Sequence, residues 1–175
     1  MPDRLHQLQV AYKPVQDRLL VRVRTAAGTE FRIWLTRRLL RRAWPLLMRA
    51  LASEPSITTQ PTPETREAVL AFEHERALSR IDFSRRYEDV PAELPLGEEP
   101  LLASRMDLRA GPKGTHTLLF RSPGDQSVRL KLNRRMLHAL CKLIQDAAAR
   151  TDWNLDLTIV KPSATPDQTE VRVLQ

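Results

Sequence analysis

A strand-like run that ends at a helix-capping residue and passes directly into two arginines occurs twice in this chain. It reads RIWLTRRLLRRAW from Arg32 to Trp44 and RLKLNRRMLHALC from Arg129 to Cys141. A shift of 97 positions places Arg24 on Arg121, Arg32 on Arg129, Leu35 on Leu132, Arg37 on Arg134, Arg38 on Arg135, Leu40 on Leu137 and Leu46 on Leu143. Those seven identities fall within 24 positions, where a chain rich in Arg and Leu gives roughly two or three by chance. Apolar character also carries across at Val21 and Leu118, Val23 and Phe120, Phe31 and Val128, Ile33 and Leu130, and Leu39 and Met136. The fold is constrained accordingly, because whatever the first copy forms the second must form too.

Each copy has the same local logic. Arg18 to Thr25 and Glu30 to Leu35 alternate around the turn TAAGTE, as do Thr115 to Arg121 and Ser127 to Leu132 around SPGDQ; period-two alternation about a short turn predicts a hairpin with one buried face. Thr36 and Asn133 then cap helices reaching about Ala52 and Arg150, whose apolar residues recur at helical spacing. Pro45 is expected to kink the first helix, since it lacks an N–H and crowds the preceding turn. A further strand precedes each hairpin, Gln7 to Tyr12 and Leu102 to Arg109, aligned by a shift of one extra residue. The expected fold class is α+β, with two related strand-strand-strand-helix units and antiparallel sheets. Residues 1–52 and 101–152 hold the units, and 53–100 hold an acidic amphipathic helix, Glu64 to about Ile81, and an irregular Pro-rich connection. Residues 153–175 are expected to close the single compact domain with a C-terminal hairpin of Asn154 to Val160 and Thr169 to Leu174.

Charge is distributed unevenly over the 175 residues. Met1 to Ala52 carries 11 basic and 3 acidic side chains, Ser53 to Pro100 carries 5 and 11, and Leu101 to Asp152 carries 10 and 4. Two basic blocks therefore flank an acidic one, and the net charge of +7 makes an anionic partner the first class to consider. The longest apolar run, Ala43 to Met48, is far too short to span a bilayer. No membrane role and a cytoplasmic setting are expected. The single cysteine, Cys141, excludes an intramolecular disulfide and any multi-thiolate metal site, and its place on a helical apolar pattern reads as a buried thiol.

The side chains between the core positions must face outward. In the first hairpin these are Arg22, Arg24, Arg32 and Trp34; in the second they are Leu119, Arg121, Arg129 and Lys131. Arginines there can meet phosphates while a base stacks on Trp34. Arg37, Arg38, Arg134 and Arg135 follow the caps, where the helix dipole disfavours cations by a few tenths to about 1 kcal/mol. Beside free N–H groups they form a pocket for phosphate or carboxylate. The opposing expectation is internal: Glu64, Glu67, Glu73 and Glu75 on the middle helix neutralise one basic face.

No catalytic motif is present in the sequence. His6, His74, His116 and His138 fall on different elements without metal-ligand spacing, and the five glycines form no phosphate-binding loop. Neither catalytic residues, nor a cofactor, nor a metal site is expected. From Glu64 to Arg150 the order helix, three strands, helix, with NRRMLHALCK opening the last helix and GPKGTH between strands, resembles the double-stranded-RNA-binding domain. That resemblance implies phosphate contacts from the start of the last helix. It covers half of the chain; the loop has two extra residues before its histidine, and SVRLKL lacks a glycine-rich approach to the helix. The expected function is that of a non-catalytic nucleic-acid-binding module, RNA before DNA. The alternative is an assembly or adaptor protein whose basic face docks an acidic protein or another copy of itself as a homodimer.

Overall fold

The computed structural model describes residues 4–159. In chain order the elements are β1 (Leu5–Lys13), β2 (Arg18–Thr25), β3 (Glu30–Leu35), α1 (Arg37–Ala52), α2 (Pro55–Thr58), α3 (Pro63–Leu78), β4 (Leu101–Leu102), β5 (Arg105–Ala110), β6 (His116–Arg121), β7 (Ser127–Leu132) and α4 (Arg134–Ala148). The architecture is α+β, and the order strand, strand, strand, helix occurs on both sides of the middle segment. One sheet runs β1-β2-β3-β4 and the other β5-β6-β7.

The spacing of 97 residues persists in the hydrogen bonding. Val21 pairs with Ile33 and Leu19 with Leu35; Leu118 pairs with Leu130 and His116 with Leu132. Both turns close with the same bond, Thr25 N to Thr29 O and Ser122 N to Gln126 O, each 2.9 Å. Each also holds a left-handed residue at the same step, Gly28 (φ 87°) and Asp125 (φ 63°); glycine or Asp tolerates that region best. Thr36 accepts from the Leu39 N–H at 3.2 Å and Asn133 from that of Met136 at 2.9 Å, which caps α1 and α4 alike. The preceding strands are displaced by one further residue, Val10 opposing Val21 and Leu108 opposing Leu118.

Packing exchanges the helices. α1 lies against β5 of the second sheet, while α4 lies mainly against β1 and touches α1 and α3. One core holds both units, with Val21, Ile33, Leu40, Leu47, Leu118, Leu132, Leu137 and Leu140 all buried. α4 thus leans on the strands of the first unit more than on its own hairpin. The sheets meet where the chain leaves β4: the Ala103 N–H donates to Trp34 O at 3.1 Å and the next, Ser104, to Arg121 O at 2.8 Å. β4 runs parallel to β3, and Glu93 bonds to both Gly28 and Glu30 through its backbone. The Pro-rich connection thus lies along the outer edge of β3, irregular apart from those pairings.

The middle helix is less amphipathic than its sequence implies. Within α3 only Leu70 is fully buried and Phe72 is 61% exposed, because one narrow strip of the helix meets α2 and α4. Pro45 lies within the span of α1 at an exposed position. The expected C-terminal hairpin is not formed by its first half. Residues 154–159 take no strand; Trp153 and Leu157 are instead buried in the core, with Leu155 and Ile159 packed against it. Its second half, Thr169 to Leu174, lies outside the described residues.

Candidate nucleic-acid interface

The outer face of the first sheet is chemically closed. Register places Arg24 beside Glu30 and Arg22 beside Arg32, so one carboxylate stands among three guanidiniums. Glu30 is 2% exposed and accepts from Arg32 Nε at 2.7 Å, from Arg22 Nε at 3.2 Å and Nη2 at 3.3 Å, from Arg24 Nη2 at 3.4 Å and from the Tyr87 hydroxyl at 3.0 Å. Asp89 meets Arg22 at 2.7 Å, the Tyr87 ring lies 4.2 Å beneath the Arg22 guanidinium, and the Val90 carbonyl accepts from Arg24. Burial alone would raise the Glu30 carboxyl, but the bonds from Arg32, Arg22 and Tyr87 outweigh it and hold the group below the ordinary carboxylate range. Trp34 is half-buried in a row with Ala11, Leu20 and Leu102.

Neutralisation therefore comes from Glu30 within β3 and from the segment after α3. Among the described contacts, Glu64, Glu67, Glu73 and Glu75 reach none of the hairpin or cap arginines; Glu73 pairs within its own helix with Arg76 at 3.7 Å. The expected internal competition exists with different carboxylates. The physical reason is position: α3 packs on α2 and α4, on the core side, while the hairpin arginines lie on the outer face.

The second sheet has no equivalent of Glu30. The residue 97 positions on is Ser127. Three rows cross its outer face, Arg105–Arg121–Ser127, Asp107–Leu119–Arg129 and Arg109–Thr117–Lys131. Nine positions thus hold five cations and one carboxylate. Asp107 pairs with Arg105 at 3.0 Å and Arg121 at 3.6 Å, while Arg109, Arg129 and Lys131 are exposed and make no ion pair with a described residue. Asp107, Arg109, Thr117, Leu119, Arg121 and Arg129 line a shallow groove across the strands. Arg105 and Arg109 are additions that the sequence left unmarked; the alternation of β5 was their signal.

The capped helix starts diverge. Arg37 and Arg38 are exposed and unpaired among the described residues, as is Arg135. Arg134 turns inward to Glu54, its Nε 2.8 Å from a carboxylate that is 4% exposed. The same oxygen lies 3.3 Å from His138 Nε2, and His138 Nδ1 lies 2.9 Å from His74 Nδ1. The two ring nitrogens of His138 thus face a carboxylate on one side and a second imidazole on the other. This chain joins α3 and α4 to the segment after α1. Two histidines read separately in sequence are thereby neighbours; a histidine on the buried stripe of α4, needing a partner, was the available sign. No group of three or more His, Cys, Asp or Glu among the described residues is arranged to hold a metal.

Burial, His138 and Lys142 together push His74 down to about 4, against 6.5 in an unfolded chain. The unfolded state then binds the proton more readily, so the stability present above pH 6.5 declines as pH falls toward about 4. Urea midpoints are expected to fall between pH 6.5 and 5, and the fall should be shallower in His74→Leu. Equal slopes in both proteins would refute the linkage.

Fold and faces define a basic α+β protein of two strand-strand-strand-helix units whose helices are exchanged between sheets, with one basic sheet face closed and the other open. No protein-family model, curated protein or solved structure matches the chain. No helix among the described residues is long and apolar enough to cross a membrane.

Proposed function

We propose that the protein is a non-catalytic nucleic-acid-binding module, with RNA the expected partner, acting through the outer face of the β5-β6-β7 sheet. The observation that carries this reading is the five-to-one excess of cations over carboxylates on that face, in which Arg109, Arg129 and Lys131 have no ion-pair partner among the described residues. Strands about 5 Å apart set these long cationic side chains side by side on one surface, where several can meet neighbouring phosphates. No aromatic side chain stands on this face, so the contacts are to phosphate rather than to stacked bases. Cytoplasmic residence accompanies that partner.

Affinity should fall with salt, the logarithmic slope being about −3.5 to −4.5 for five phosphate contacts. Replacing Arg109, Arg121, Arg129 and Lys131 with Gln is expected to weaken binding by about tenfold or more at low salt. The same change at Arg76, Arg80, Arg86 and Arg150 should leave it nearly intact. Equal losses from both sets would reject the sheet face. Loss of binding on Trp34→Ala alone would move the interface to the apolar row of Ala11, Leu20, Trp34 and Leu102 and favour the docking of another protein.

A further inference from the structure

α1 reads RRLLRRAWPLLMRALA and contains no acidic residue. At about 100° per residue, Arg37, Arg38, Arg41, Arg42 and Arg49 fall within one sector of the helix, and they extend over about 18 Å of its length. All five are exposed, and none forms an ion pair or hydrogen bond with a described residue. The opposite side, with Leu39, Leu40, Ala43, Trp44, Leu47 and Leu51, is buried in the core. A basic helix whose apolar side is already committed cannot lay that side into a lipid surface; what remains available is the charge. Within the sector the arginines form two rows, Arg37 with Arg41 and Arg38 with Arg42 and Arg49, on either side of Pro45. Cations spread over one side of a helix in this way suit contact with the phosphates of a duplex, and proline among them offers no donor to a base edge.

The placement of α1 matters as much as its charge. α1 packs against β5, the edge strand of that sheet, and turns its apolar side into the core that the two share, so its arginine sector and the sheet's basic outer face are separate surfaces. Each surface carries enough unpaired cations to hold a duplex of its own. We infer that the protein bridges two nucleic-acid duplexes, one held by the outer face of β5-β6-β7 and the other by the arginine face of α1, without sequence preference on the α1 side. This rests on the nucleic-acid reading of the second sheet.

The full chain is tested with a short RNA duplex on beads and a second, fluorescent duplex in solution. Capture of the second duplex is expected only when protein is present. The variant with Arg37, Arg38, Arg41 and Arg42 replaced by Gln, a good helix former at exposed sites, should lower capture by about tenfold or more. Its binding to the bead duplex should change by less than about threefold. Gln at Arg109, Arg121, Arg129 and Lys131 should abolish capture in the same way, and both sets together should abolish all binding. Undiminished capture in the α1 variant, with its urea midpoint unchanged, would overturn the bridge while leaving the sheet interface standing. Failure of the intact protein to bind the bead duplex would instead overturn the nucleic-acid reading and the bridge with it. Displacement of the second duplex alone by polyglutamate at equal charge concentration would assign the α1 face to an acidic protein and reject the proposal.

Discussion

Replacing Glu30 with Ala is expected to destabilise the protein by about 3–5 kcal/mol, the usual consequence of removing one partner from a buried charge cluster. The side chain is 1% exposed, and Arg24, 5% exposed, depends on it. Without the carboxylate, Arg24 keeps the Val90 carbonyl and the Tyr87 ring but no counter-charge. Urea unfolding at an unchanged m-value measures the loss. Replacing Arg24 as well, with Met, should recover part of the loss, since two apolar groups leave no buried charge unpaired. The opposite change is expected in binding: Arg32 would be released and Arg22 left with Asp89 alone, so a Glu30→Gln protein held folded at low temperature should bind polyanions more tightly. A loss below about 1 kcal/mol would show that water reaches the cluster and that the first face is not closed.

Trp153→Ala should have a comparable effect, about 3–5 kcal/mol, through loss of a large buried side chain. The ring is 2% exposed, its Nε1–H donates to Asp17 Oδ1 at 2.7 Å and it meets Tyr12 edge-on with centroids 6.2 Å apart. It fastens the chain after α4 to the turn between β1 and β2, where Asp17 has φ 48°. Trp153→Phe should cost less, about 1–2 kcal/mol, because most of the volume remains and only the hydrogen bond is lost. Equal losses in Ala and Phe would place the importance of Trp153 in the bond rather than the packing.

Much of this fold is legible in sequence because it is local. Alternation in Arg18 to Thr25 and Ser127 to Leu132, the turns at Gly28 and Asp125 and the caps at Thr36 and Asn133 all act within a few residues. Their strands and helices consequently form where pattern and propensity place them. Alternation also assigned the faces, and Arg121, Arg129 and Lys131 are exposed on the outer side. Where local pattern was incomplete the reading went astray. Leu155, Leu157 and Ile159 alternate like a strand, yet among the described residues they join no β-ladder; burial against the core satisfies their side chains, and the Leu157 carbonyl accepts from the Gln145 side chain instead.

By itself, then, the sequence determined the repeated hairpin and cap, the three long helices, and which side chains of the hairpin strands point outward, all through interactions between near neighbours; it gave no sign of α2 and ran β4 and β5, which belong to different sheets, into one strand. Only the tertiary structure decided which arginines remain available. Arg22, Arg24, Arg32 and Arg134 were indistinguishable from Arg129 and Lys131 by type and spacing, but Glu30, Asp89 and Tyr87 close on the first three and Glu54 on the last. Tyr87 and Glu30 are 57 residues apart, and Glu54 and His138 are 84 apart. Charges pair by distance in space, and a carboxylate that the chain brings back across a sheet leaves no periodic trace in the residues it neutralises.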